Sequence, residues 1–369
     1  MKTQFLWFVF ACCLPLWATA ESTISGDLPR RENRPLEEIA GLDSHYGVLT
    51  ATDGARLRSV LTRPSGASGR LPAILFVQWL SCNSIELPAK QQDGWSRMLR
   101  RLAQDSGMVM MRTEKAGVGD SEGDCAALDY ETDLAHHRAA LAALRQSPHV
   151  DPERIVVFGA SMGGNMAPLV AAGEKLAGVM IWGGGAKSWF ERTLGFERRA
   201  KEFSAIPAAE LDAYVRYLSR FLVAYLYDHT DTATIAREQP ALAGVWSTIV
   251  GTGEGSHYGR PLAFHHQAAA QNWAAAWERV AAPVLALYGE YDWFEDAAAH
   301  RLVADIANRR GAGRGEYVEI AATDHHFVRY ADAAAAFREE GGVVNSDAAV
   351  EAMLRWLGER HLLGSVSRP

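Results

Sequence analysis

The run Ile155-Val156-Val157-Phe158 enters Gly159-Ala160-Ser161-Met162-Gly163 directly, and an alanine-containing helical stretch to Ala172 leaves it just as directly. Four consecutive β-branched and aromatic residues suit a strand covered on both faces. Small residues around Ser161 let that strand reverse into a helix with no loop between them. The serine backbone is then strained, at the carboxyl end of the strand. A chain containing this segment is committed to a sheet with at least one crossover helix.

The rest of the chain repeats the alternation. Leu71–Val77, Met108–Arg112, Arg154–Phe158, Ala177–Trp182, Val284–Tyr288 and Tyr317–Ile320 read as strands. Helical patterns cover about Gln91–Gln104, Tyr130–Arg145, Met162–Ala172, Asp296–Asn308 and Ala348–Leu357. Two further strand-like runs, His45–Ala51 and Leu57–Thr62, flank the turn signal Asp53-Gly54. This order implies a mostly parallel sheet covered by helices on both faces, with its sites at the carboxyl ends of the strands. Polar residues 21–40 read as a surface arm. From about Lys187 to His266 the alternation stops, and Leu211, Tyr214, Val215, Leu218, Leu222 and Tyr225 form an amphipathic stripe. Its position after the sixth strand of the pattern suggests a helical cap. Trp189, Phe221, Tyr225 and Trp246 are candidates to line a pocket beneath it, although aromatics at helical spacing are more often core.

Gly-x-Ser-x-Gly occurs twice, and only one copy has the strand-to-helix context. In Gly119-Asp120-Ser121-Glu122-Gly123 the segment Thr113-Glu114-Lys115-Ala116-Gly117 separates the serine from its strand, and no helix follows. Ser121 is expected in a turn, satisfying local backbone, and Ser161 is the candidate nucleophile. A serine hydroxyl needs a base at neutral pH, and the base needs an orienting acid. Asp292 follows Val284–Tyr288 at the strand end, with Glu290, Glu295 and Asp296 as competitors; Asp296 is better placed to open the next helix. Two histidines follow the last strand in Asp324-His325-His326-Phe327, and position alone leaves both as candidate bases. The pairs His136-His137 and His265-His266 follow no strand end and lack further ligands at metal-site spacing, so no metal and no cofactor is expected. A developing oxyanion needs two N–H donors. The backbone of Met162 is one candidate, and that of Leu80 or Trp79, after the third strand, is the other.

At the amino end, Lys2 precedes an apolar run from Phe5 to Trp17, and Ala18-Thr19-Ala20 fits the small-x-small cleavage rule. Export is expected, to a periplasm or out of the cell, with a mature chain from Glu21. A retained anchor is the alternative, but the run is short for a hydrocarbon core about 30 Å thick. No later segment is long and apolar enough to span a membrane. Cys12 and Cys13 would leave with the leader. Cys82 and Cys125 would remain, either as a disulfide or as two separate buried thiols. A formal charge of −7 over the 369 residues gives no basis for nucleic acid or an anionic membrane as partner. The expected partner is a small-molecule or peptide acyl substrate.

Taken in order, these segments resemble the α/β-hydrolase superfamily over about Leu71 to Phe327. Asp324-His325-x-Phe327 resembles the Asp-His-x-Phe ending of esterase and prolyl-oligopeptidase-like members, whose first histidine is catalytic; the resemblance therefore implies His325. Glu114-x-Ala116-Gly117-Val118-Gly119-Asp120-Ser121 resembles the family's Asp-x-Arg-Gly-x-Gly-x-Ser loop and implies a structural Ser121. One domain over 21–369 is implied: a mostly parallel sheet of eight-stranded type, helices on both faces, and a helical cap inserted at about 187–266. The loops bearing Cys82 and Cys125 would follow neighbouring strands, which favours the disulfide and would brace the oxyanion loop. One departure is Gln78-Trp79, where the family has His-Gly.

The activity implied is acyl transfer through Ser161, first to water from a carboxylic ester. The rivals are a prolyl-oligopeptidase-like peptidase, a non-catalytic binding protein on the same fold, and an acyltransferase. With about fifty residues ahead of the core, a propeller that sieves peptides is not expected.

Overall fold

The structure, a computed structural model, describes residues 24–31, 35–241, 244 and 256–364. The leader expected over 1–20 and the pocket candidate Trp246 lie outside the described residues.

Strands β1 (Leu42–Thr50) and β2 (Arg56–Pro64) pair antiparallel across the Asp53-Gly54 turn. β3 (Leu71–Val77), helix α1 (Gly94–Ser106), β4 (Val109–Thr113), α2 (Tyr130–Gln146), β5 (Val150–Ala160), α3 (Met162–Ala171) and β6 (Gly178–Trp182) follow. After an insertion come β7 (Val284–Gly289) and β8 (Gly315–Ile320). The eight strands form one sheet in the order β1-β2-β4-β3-β5-β6-β7-β8. β2 runs antiparallel to both its neighbours, and every other pairing from β4 to β8 is parallel.

Because side chains alternate across a strand, the sheet builds two cores. Leu75 and Val77 of β3 pack on one face with Leu134 and Leu141 of α2 and Met166 and Val170 of α3. Ile74 and Phe76 pack on the other with Met98, Leu99 and Leu102 of α1 and with Met353 and Trp356 near the carboxyl end. α1 begins where Asp93 accepts the Ser96 N–H at 3.0 Å and ends at Gly107, whose φ of 63° is the left-handed stop.

The insertion between β6 and β7 contains α4 (Trp189–Phe203), α5 (Ala208–Leu222), a π-helical turn Val223–Tyr227 and α6 (Thr232–Glu238). It then contains the short paired segments Ser256–His257 and Arg260–Pro261, α7 (Leu262–Ala269) and α8 (Trp273–Glu278). Helices α9 (Ala297–Asn308), α10 (Ala333–Arg338) and α11 (Asp347–Glu359) complete the chain. Of the residues suggested for a pocket, Phe221 and Tyr225 are instead core: both are buried, and their rings stack at 5.6 Å.

The expected arm runs over the surface at most of its described residues but is anchored to the domain. Leu28, Glu37 and Ile39 are buried, Arg30 pairs with Glu86 and Asp120, and Asp27 pairs with Arg58. Two charges of this segment, Asp27 and Arg30, are thus matched by groups on the body of the domain.

Candidate active site

At Ser161 the backbone has φ 55° and ψ −124°, between the last residue of β5 and the first of α3. Its N–H donates to the Trp182 carbonyl at 2.7 Å. The turn is possible because of its neighbours: a Cβ on Gly163 would lie 2.0 Å from the Val77 carbonyl oxygen. Such strain persists only where the surroundings impose it, and here the end of β3 and the end of β6 grip the turn from both sides.

His325 lies in the loop after β8. Its Nε2 is 3.0 Å from Ser161 Oγ and its Nδ1 is 2.7 Å from Asp292 Oδ2. With the proton on Nδ1, the ring donates to Asp292 and Nε2 can accept from the serine hydroxyl. Asp292 follows β7; its Oδ1 accepts the N–H groups of Phe294 at 2.9 Å and Glu295 at 3.1 Å, which orients the carboxylate. Both side chains are buried. Burial would push the Asp292 carboxyl up, but His325, with His300 and the Glu295 N–H, holds it below the ordinary value. Burial would push the His325 imidazole down, and the Asp292 carboxylate more than reverses this, so it titrates above its ordinary value.

Geometry separates the alternatives that sequence position left open. The side chain of His326 is half-exposed and 3.7 Å from Asp324. Glu290 accepts the Ala322 N–H, Glu295 pairs with Arg192, and Asp296 caps α9 and pairs with Lys187. Ser121 is buried in its turn, accepting the Arg58 N–H at 2.8 Å. His136 pairs with Asp53, and His265 stacks on His257 at 4.1 Å. No group of three or more His, Cys, Asp or Glu side chains able to hold a metal occurs among the described residues.

Met162 opens α3, so its N–H has no intrahelical acceptor and stands beside Ser161. Leu80, the second expected donor, lines the same cavity as Ser161 and Met162. A disulfide joins Cys82, after β3, to Cys125, after β4, with Cα atoms 6.0 Å apart.

The cavity over these groups has a volume of 520 Å³. It is lined by Trp79, Leu80, Trp95, Phe294 and His326 of the domain and by Trp189, Arg192, Phe196 and Tyr258 of the insertion. His325 is flanked by two of these rings, Trp95 at 5.7 Å and Phe294 at 5.1 Å. Arg192 is not a free cation: it pairs with buried Glu295, and its guanidinium lies 4.9 Å over Trp189. A larger groove of 690 Å³ lies between α2 and α3, rimmed by Arg138, Arg145 and Glu174, away from Ser161. Sequence reading missed Trp95, Phe294, Arg192 and Tyr258. Phe294 carried a signal, two residues past the candidate acid, whereas Tyr258 and Arg192 reach the site only through the path of the insertion.

No protein-family model matches the chain, and no curated protein matches it in sequence. Solved structures do. Carboxyl esterase 2 from the fungus Tuber melanosporum is 14% identical, over 88% of this chain and 90% of that one, with a TM-score of 0.52. Est1E from Butyrivibrio proteoclasticus, bound to ferulic acid, is 13% identical over 86% and 99%, with a TM-score of 0.51. A hypothetical protein from Pseudomonas aeruginosa is 14% identical over 86% and 99%, with a TM-score of 0.50. With the strand order and the serine turn, this likeness defines the class by architecture: the chain has the α/β-hydrolase fold.

Proposed function

We propose that the chain is a serine hydrolase that forms an acyl-enzyme at Ser161 and acts on carboxylic esters. The observation that carries this reading is the continuous relay from Asp292 through His325 to Ser161, opening on a cavity. His325 Nε2 takes the hydroxyl proton as Ser161 Oγ attacks the ester carbonyl, and Asp292 stabilises the imidazolium. The N–H groups of Met162 and Leu80 receive the oxyanion; one such donor lowers the barrier by about 3–4 kcal/mol. Collapse breaks the bond to the alcohol, which takes the proton from His325. Water then gives a proton to the same nitrogen, attacks the acyl-serine, and releases the acid with Ser161 restored.

Residues 187–266 are read as a cap, because Trp189, Arg192 and Phe196 of α4 and Tyr258 line the cavity. A cavity of this size suits a small ester better than a polypeptide chain. A carboxyl esterase among the fold neighbours accords with this reading. Export is proposed on the leader pattern at 1–20, and a disulfide between Cys82 and Cys125 supports it.

The test is hydrolysis of p-nitrophenyl esters of graded acyl length by the wild type and by Ser161→Ala, with mass spectrometry of a fluorophosphonate adduct. Turnover lost in the variant and an adduct on Ser161 are expected. Labelling without ester turnover would redirect the search to peptides. A folded wild type with neither would leave a binding role.

A further inference from the structure

Two buried cations hold consecutive carbonyls of the loop after β3. Lys115 Nζ donates to the Trp79 carbonyl, and Arg260 Nη1 donates to the Leu80 carbonyl at 3.3 Å. Neither side chain is exposed, and neither lines the cavity over Ser161. Arg260 is paired through Nη2 with Asp133 at 2.7 Å. Lys115 has no carboxylate within ion-pair distance among the described residues; its neighbour Glu114 turns instead to Ser84 and Ile85. Burial pushes the Lys115 ammonium down to about 7, against the attraction of Asp133. An ammonium desolvated for a single backbone carbonyl is a costly way to fill space that an apolar side chain could fill.

The geometry of the peptide group gives these contacts a use. In a planar trans peptide the C=O and the following N–H point in opposite directions. Fixing the Trp79 carbonyl toward Lys115 directs the Leu80 N–H away from it, and fixing the Leu80 carbonyl toward Arg260 does the same for the Ser81 N–H. Leu80 and Ser81 line the cavity beside Ser161 and Met162. We infer that Lys115 and Arg260 are positioning residues that aim the Leu80 N–H at the oxyanion from behind the loop. The inference rests on the proposed acyl-enzyme chemistry and adds to it the means of holding the second donor. Arg260 belongs to the insertion, so the insertion and the oxyanion loop are fixed to each other. The disulfide ties down the same loop two residues after Leu80, and Cys125 Sγ lies 3.5 Å from Arg260 Nη1.

The test uses the full chain and its Lys115→Met and Arg260→Met variants. The readouts are kcat and KM for p-nitrophenyl acetate and the affinity for a trifluoromethyl ketone, whose serine adduct puts an oxyanion in the hole. In Lys115→Met, kcat is expected to fall about 10- to 100-fold with KM within about threefold, and the ketone affinity to fall by a similar factor. Arg260→Met is expected to show the same paired loss. A folded Lys115→Met with unchanged kcat and ketone affinity overturns the inference, as does a loss of kcat with unchanged ketone affinity. If Lys115→Met does not fold, Lys115→Gln replaces it. Its amide keeps a polar donor at the buried position but is shorter than the lysine and stops short of the carbonyl, and the same paired loss or its absence decides. A wild type that neither turns over the ester nor binds the ketone overturns the proposed function itself, a different outcome from an active wild type with indifferent variants.

Discussion

Gly183 lies against the His325 ring: a methyl group on it would lie 2.5 Å from Cε1 and 2.8 Å from Nδ1. Gly183 directly follows β6, and its neighbour Trp182 accepts the Ser161 N–H and donates its own Nε1–H to the His325 carbonyl at 3.0 Å. The end of one strand therefore positions both the candidate nucleophile and its base. Gly183 also has φ 65°, where a side chain is strained. In Gly183→Ala the imidazole must move, and kcat is expected to fall by about 100-fold, the cost of a misplacement near 1 Å. Steady-state kinetics with a thermal melt check this; an alanine variant with wild-type kcat would show that the ring does not depend on this contact.

Asp292→Asn keeps the shape of the acid and removes its charge. The amide can donate to Nδ1, which favours the tautomer with the proton on Nε2 and leaves no acceptor for the serine. A fall in kcat of about 10³- to 10⁴-fold is expected, with Ser161 still slowly labelled by fluorophosphonate. Retention of more than a tenth of the wild-type kcat would return the acid role to Glu290 or Glu295.

Much of this was legible because strand, turn and helix each leave local marks. The unbroken apolar run before Gly159 gave β5, the glycines after Ser161 gave the start of α3, and β3 is found over Leu71–Val77 as expected. The choice of His325 came through a resemblance, since adjacent residues in an irregular loop have no period to separate them. What stayed hidden depends on contacts distant in sequence. Lys115 reads as an ordinary charge until the Trp79 carbonyl is seen against it, and Arg260 is 180 residues from the carbonyl it holds. Phe221 and Tyr225 illustrate the reverse: a helical stripe records that a face is buried, and not what covers it.

The disulfide closes a long segment, since Cys82 and Cys125 are 43 positions apart. On loop entropy alone, such a link disfavours the unfolded chain by about 4 kcal/mol. Cys82→Ser is expected to lower the melting temperature by several degrees, and dithiothreitol to lower that of the wild type to the same value. Equal melting temperatures for oxidised and reduced protein would mean that the bond contributes nothing to stability.

Acid should destabilise the fold through histidines that burial keeps neutral. Burial pushes His137 down to about 4, against Asp133 four residues earlier, and His265 down to about 3; His257, stacked on His265, also titrates well below its ordinary value. For a group whose pKa is lower in the folded state, the stabilisation is present above the unfolded value near 6.5 and is lost as pH falls. At pH 5 the loss is about 2 kcal/mol for each of His137 and His265. His325 acts in the opposite sense, because its raised pKa stabilises the fold most at the acidic end, and it offsets part of the loss. The net expectation is a melting temperature that falls by roughly 5–10 °C between pH 7 and pH 5. Circular dichroism melts across that range check it, and His265→Leu should flatten the dependence by about a third. A slope that His265→Leu leaves untouched would assign the acid sensitivity to His257 and to His137 beside Asp133.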